Sequence, residues 1–374
     1  MSGILPGLPQ TDRFSWTLIA KLGAGLLLGF LLLRTGLGEY ISGTIATLLA
    51  VVSSAVLEVF RGDVLRSGSE LRSGETGYAL SVTSACDGLG LTVTLLSTLA
   101  ALAAPPFSWA RYLAVAGAGF VLIQAFNLAR ILSLYGLLPA TSAGFELVHF
   151  HIFPLLSALL IAGIVLLAGH RSFSVPAGAL LRWCAIALAG AVIWHFVADA
   201  VTGAILVPLS SATIRLVPGM LVIGISEQGG GHFIDTTLVT SHAPVSLASL
   251  PFSPRDFAVG FPLLAASLLV ANAPPKSKLL VALMALLGMA LAVSAAAFTL
   301  AQGEAVAAGL TQLASSSRLE SYEPPGGASR SVLAALQNCA VYFNLFIMPF
   351  VIFFLPTTRP PLARRAERGS RRRG

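Results

Sequence analysis

Nine apolar runs, each long enough or nearly long enough to cross a bilayer, alternate with short polar breaks along the chain. They cover about Ser15–Leu33, Tyr40–Phe60, Ala85–Ala104, Trp109–Leu138, Phe145–Ala168, Leu181–Val207, Phe257–Ala273, Leu279–Leu300 and Val332–Leu355. A helix rises 1.5 Å per residue, so about 20 apolar residues span the hydrocarbon. The pattern predicts an all-α polytopic membrane protein of about eight or nine transmembrane helices. Two breaks read differently. RGDVLRSGSELRSGETGYALSVTS, from Arg61 to Ser84, alternates polar and apolar residues around glycines, the period-2 signature of short strands. The polar insert from Pro208 to Asp256, centred on GGGHFIDTTLVTS, is also more strand-like than helical. Pro105-Pro106 stops the third run.

Composition agrees. Hydrophobic residues make up 56% of the chain and charged ones 10%, with a mean hydropathy of +0.84, against about a quarter charged in soluble domains. This excludes a sizeable soluble core. The net charge of +7 comes from a short terminal tail: Arg359, Arg364, Arg365, Arg368, Arg371, Arg372 and Arg373 lie in the last sixteen residues. A basic cluster beside a span is a cytoplasmic topology signal or an anionic-lipid contact, and without interleaved aromatics it is no nucleic-acid footprint. Loops holding Arg111, then His170, Arg171 and Arg182, then Lys276 and Lys278, then the tail, contain one acid, Glu367. The opposite loops mix signs, so the acid-rich side is outside. Nine spans put the N-terminus outside too, against which stands Lys21 in the first run. That run lacks a small-residue cleavage site and is expected to be retained. The three cysteines, Cys86, Cys184 and Cys339, lack the paired spacing of a disulfide framework or zinc ribbon.

Ionisable groups inside apolar helices are functional-site candidates. Cys86 opens the third run on the outer side; Arg130 lies near the outer end of the fourth; His149 opens the fifth on that side. A cysteine thiol becomes a nucleophile when an imidazole or a cation favours its thiolate. His149 is placed to take the thiol proton and return it to a leaving amine, and Arg130 to hold the thiolate or an oxyanion. Asn127, three residues before Arg130, shares its helix face, and Gly88 and Gly90 let another backbone approach Cys86. His151 is the rival to His149; two apart, they cannot share a face. His195 and Asp199, four apart, are expected to form an intramembrane pair. Two other classes compete: a metal-dependent hydrolase using His149, His151, His195 and Asp199, which lacks HExxH, and a non-catalytic transporter or scaffold. The GGGHF stretch has no phosphate-loop lysine.

ACDG at Cys86, NLARI at Arg130 and FELVH at His149, with the approach SVTSACDG, resemble the exosortase and archaeosortase family of membrane-embedded cysteine transpeptidases. The resemblance extends over about Leu18 to Leu167. It implies Cys86 as nucleophile, Arg130 as essential cation and His149 as catalytic histidine, with Asn127, Asp87 and His151 supporting or binding substrate. It implies no cofactor and no metal. Substrates would be exported proteins ending in a short motif, a transmembrane helix and a basic cluster, cleaved through an acyl-enzyme at the periplasmic face of a bacterial inner membrane, where lipids are the other partner. Asp87 stands where the family commonly has serine or another small residue; pairing with Arg130 would offset its charge beside the thiol. The implied organisation is a catalytic core over 1–180, an additional membrane region over 181–355 with its insert at 208–256, and a basic cytoplasmic tail over 356–374.

Overall fold

The computed structural model describes residues 16–83, 86–102, 109–137, 142–168, 177–215, 221–229, 231–239, 247–271, 274–307, 312–315, 318–321, 327–347 and 349. The Pro105-Pro106 stop, the His170–Arg171 loop, the far end of the ninth run and the arginine tail lie outside them.

Each of the nine apolar runs contains a helix within the described residues, although the third becomes α-helical only at Leu89 and the seventh only at Phe261. Helices α1 (Trp16–Leu33) and α2 (Gly36–Arg61) are followed by strands β1 (Val64–Ser67), β2 (Glu70–Ser73) and β3 (Ala79–Ser81), then by α3 (Leu89–Leu102) and α4 (Trp109–Leu137). A short α5 (Ser142–Glu146) continues through a wider π turn, Leu147–Ile152, into α6 (Phe153–Ala168). Helix α7 (Ala177–Val201) likewise passes through a π turn, Thr202–Leu206, into α8 (Val207–Ile214). Strands β4 (Val222–Gln228), β5 (Gly231–Val239) and β6 (Leu247–Phe252) precede α9 (Phe261–Val270) and α10 (Pro275–Ala307). Strands β7 (Gln312–Ser315) and β8 (Arg318–Ser321) lead to α11 (Gly327–Tyr342) and a π turn at Phe343–Ile347.

Both strand-like stretches form antiparallel sheets. Strands β1, β2 and β3 make a three-stranded sheet; β4, β5, β7 and β8 follow in order in a second, in which β6 also pairs with β5. Two expectations need correction. The insert does not turn strand-like at Pro208: α8, continuing from the π turn, carries the helix on to Ile214. The loop between α10 and α11 adds β7 and β8 to the insert's sheet through Leu238 and Leu313.

The chain is a helical membrane protein. Among the described residues five helical stretches are long and apolar enough to cross a bilayer, and α1, α3 and α9 are shorter apolar helices; these five stand against the eight or nine expected. Helices α1 and α3 pack antiparallel. A Cβ at Gly25 of α1 would lie 3.1 Å from Ser97 of α3, and one at Gly29 2.5 Å from Val93, so small residues set the approach of these two helices. Helix α7 is tied to α9 by Trp183 Nε1, which donates to Ser267 Oγ at 2.7 Å. One buried cluster joins Leu91, Leu95, Ile123, Leu155 and Ile161 to Trp183, Leu263, Leu345 and Phe346, so residues on both sides of position 180 share a core.

Candidate active site

The three residues named from three separate runs line one cavity of about 230 Å³, bounded by Leu80, Val82, Cys86, Arg130, Phe145 and His149. Each arrives by a different local device. Cys86 ends the link from β3, its N–H bonded to the Thr83 carbonyl at 2.8 Å. Arg130 is on the penultimate turns of α4. His149 is in the π turn, held by Phe145 stacked on its ring at 5.3 Å between centroids and by Phe150 edge-on at 4.6 Å.

Arg130 Nη2 lies 3.4 Å from His149 Nδ1. A guanidinium has only donors, so in this contact Arg130 donates and Nδ1 accepts. Its carbon also sits 5.9 Å from the centre of the Phe153 ring, while Nε is buried without a partner. The π turn separates the rival histidines. In a helix wound by i→i+5 bonds, residues two apart point to nearly opposite sides, and such turns recur at functional sites. His149 faces the cavity, whereas the buried His151 meets His195 of α7 edge-on at 5.3 Å.

Asp87 turns away from Arg130. It is 2% exposed and accepts a short hydrogen bond from Ser42 Oγ on α2 and one from Leu89 N–H at 2.8 Å. It thereby satisfies an orphan amide at the start of α3. Asp87 precedes that helix, outside the span; burial pushes its carboxyl above the usual range, against the pull of both donors. The partners of Asp87 are thus Ser42 and Leu89, and the offset that pairing with Arg130 would give is not seen. Asp87 faces a second cavity, of about 650 Å³, which also takes in Arg34, Glu39, Ser42, Asn338 and Tyr342.

Asn127, 1% exposed, sits one turn before Arg130 with Nδ2 against Gly88. Gly88 has φ +74°, and a Cβ there would fall 2.0 Å from that nitrogen. What approaches Gly88 and Gly90 is therefore not a backbone but side chains, Asn127 and Tyr342 respectively. Gly88→Ala is expected to destabilise the protein by about 1–3 kcal/mol through backbone strain and overpacking, read as a lower thermal midpoint in detergent.

The His195–Asp199 pair is corrected. Arg255, after β6, donates to Asp199 Oδ2 at 3.1 Å and to Glu146 Oε2 at 3.0 Å, since its planar fork serves two carboxylates at once. Of the four residues His149, His151, His195 and Asp199, only His151 and His195 meet each other, while His149 faces Arg130 and Asp199 faces Arg255; among the described residues no group of three or more His, Cys, Asp or Glu is gathered to hold a metal.

Three participants were missed. Gln124 precedes Asn127 by three, so Gln124, Asn127 and Arg130 form a polar stripe that the spacing already contained; the Gln124 amide is buried without a partner. Ser42 carries no local signal. Tyr342 comes from α11 and lies within electrostatic reach of Cys86, Asp87 and Arg130, a proximity only the tertiary fold creates.

The model of the transmembrane exosortase family matches residues 13–154. Over that stretch, about two-fifths of the chain, the protein is similar to the exosortases. The match includes Cys86, Arg130, His149 and His151, ends two residues into α6, and leaves out everything beyond, including Tyr342 and Arg255. No curated protein and no solved structure matches the chain.

Proposed function

We propose that this protein acts as a membrane-embedded cysteine endopeptidase or transpeptidase on C-terminal sorting signals of exported proteins, at the periplasmic face of a bacterial inner membrane. The observation that carries the reading is the shared cavity of Cys86, Arg130 and His149. The Cys86 thiol gives its proton to His149, and the thiolate attacks the scissile carbonyl carbon. At 3.4 Å the Arg130–His149 contact is long; with the guanidinium turned to the thiolate and then to the oxyanion, Nδ1 is free for that proton. Collapse of the tetrahedral intermediate breaks the C–N bond, the departing amine takes the proton from His149, and the acyl group remains on Cys86 as a thioester. Water or an acceptor nucleophile releases it, with His149 now acting as base.

Residues 1–180 carry this chemistry, and 181–355 brace it: Arg255 grips Glu146 just before the π turn that holds His149. The basic tail stays cytoplasmic. Partners are proteins ending in a short motif, one apolar helix and a basic cluster. The test is covalent. Membranes processing such a protein, quenched in acid, are expected to yield a hydroxylamine-labile thioester on Cys86 carrying the substrate's upstream fragment. Turnover with no adduct on Cys86 under single-turnover conditions overturns the reading.

A further inference from the structure

Helix α2 is long and apolar enough to cross a bilayer, yet both its ends lie on one side. We infer that α2 does not span the membrane: it lies along the interface on the sheet-bearing face, its free flank set against the acyl chains of that leaflet. The inference is independent of the chemistry at Cys86.

Four observations carry it. First, α1 and α3 are antiparallel, with Gly25 opposite Ser97 and Gly29 opposite Val93. Residue numbers rise along one as they fall along the other, so Leu33 arrives where α3 starts. Leu33, Arg34 and Glu39 indeed line the same cavity as Asp87, Leu89 and Gly90. Second, α2 ends at Arg61, whose chain enters the three-stranded sheet, and that sheet leads directly to Cys86 and α3. Ser69 and Val82, from the turn and edge of this sheet, line the same cavity as Arg34. The helix therefore leaves from and returns to one face.

Third, the middle of α2 packs high. Ala46, Leu49, Ala50 and Leu57 share a buried cluster with Leu71 and Val82 of the sheet region and with Ile131 and Tyr135, at the last turns of α4. A spanning α2 would put Leu49 at the bilayer centre and pull the sheet's Arg66, Glu70 and Arg72 into hydrocarbon with it, at several kcal/mol for each charge. Fourth, the flank of α2 away from this cluster is apolar. Leu37 is 70% exposed, Tyr40 73%, Leu48 56% and Val59 81%, and no charge falls between Glu39 and Glu58. That flank suits acyl chains, with the charged ends at headgroup level.

With α2 removed from the count, eight runs remain to cross, and an even number puts both termini on the cytoplasmic side. Lys21 then lies toward the positive side, which removes the conflict it raised under nine spans. Helix α2 becomes a wall of the 650 Å³ cavity at the lipid boundary, and its Ser42 holds the residue next to Cys86.

The experiment uses the full-length chain with Cys86, Cys184 and Cys339 replaced by alanine, checked for membrane insertion. Single cysteines are introduced by Thr35→Cys between α1 and α2, Ser67→Cys in the sheet, and Lys276→Cys on the opposite face. Spheroplasts are treated with a membrane-impermeant maleimide. The expected result is that the Thr35→Cys variant labels as fully as the Ser67→Cys variant, while Lys276→Cys labels only after lysis. Labelling of Thr35→Cys only after lysis, in step with Lys276→Cys, overturns the inference. A nitroxide attached through Leu48→Cys in phosphatidylethanolamine–phosphatidylglycerol vesicles gives a second reading. Interfacial depth supports α2 on the surface, and a midplane depth refutes it.

Discussion

Replacing Cys86 by alanine is expected to abolish substrate cleavage while leaving the protein inserted and folded. Among the described residues lining the cavity Cys86 carries the one thiol, a stronger nucleophile than the Ser81 and Thr83 hydroxyls beside it. Loss of a protease nucleophile costs on the order of 10⁶-fold in kcat, the residue coming from oxyanion stabilisation and binding alone. The structural cost is small by comparison. Cys86 packs at the margin of the cluster of Leu71, Val82 and Ile131, and removing one partly buried sulfur costs on the order of 1 kcal/mol. The two effects separate cleanly in one experiment: unprocessed precursor accumulates while the variant's thermal midpoint and detergent elution stay near those of the parent. Normal processing by the alanine variant refutes the cysteine mechanism. Cys184 serves as the control, since it packs against the core between α6, α7 and α9, far along the chain from Arg130 and His149; Cys184→Ala is expected to leave cleavage unchanged.

How much of this was legible in the residues differs by element. The hydrophobic pattern marks where the helices lie, so each of the nine runs contains one, and the alternation from Arg61 to Ser84 corresponds to β1, β2 and β3. Loop charges place Cys86, Arg130 and His149 near one depth, and the three line one cavity. What the period does not contain is direction. An apolar run of 26 residues looks the same whether it crosses the bilayer or lies along it, and only the pairing of Gly29 with Val93 and of Ser42 with Asp87 tells which way α2 runs. The same holds for the polar partners. Asp199 four residues after His195 is a sound local pairing, but Arg255 offers a fork to Asp199 and Glu146 together, and no local spacing reveals a guanidinium 56 residues away. His149 and His151 were nearly equivalent as text. The π turn from Leu147 to Ile152 sends one to the cavity and the other to His195.

Arg130 gives the second large effect. Arg130→Gln is expected to lower kcat by about 10²–10³-fold, the cost of losing one preorganised donor to an oxyanion, with KM little changed if the guanidinium acts on the transition state and not on bound substrate. Arg130→Lys restores a positive charge without the fork, so partial recovery is expected: a compact ammonium supports the thiolate but cannot serve the sulfur and the oxyanion together. A structural role alone predicts otherwise. The guanidinium is packed near Phe153 and its Nε is buried, so loss of packing would lower the thermal midpoint and leave the intrinsic reactivity of Cys86 alone. Alkylation of Cys86 by iodoacetamide separates the two, because the thiolate is the reacting form. Slower alkylation in Arg130→Gln, with recovery in Arg130→Lys, marks Arg130 as acting on the thiol. Unchanged alkylation and unchanged kcat in Arg130→Gln would reduce it to a packing residue and leave His149 as the sole group activating Cys86.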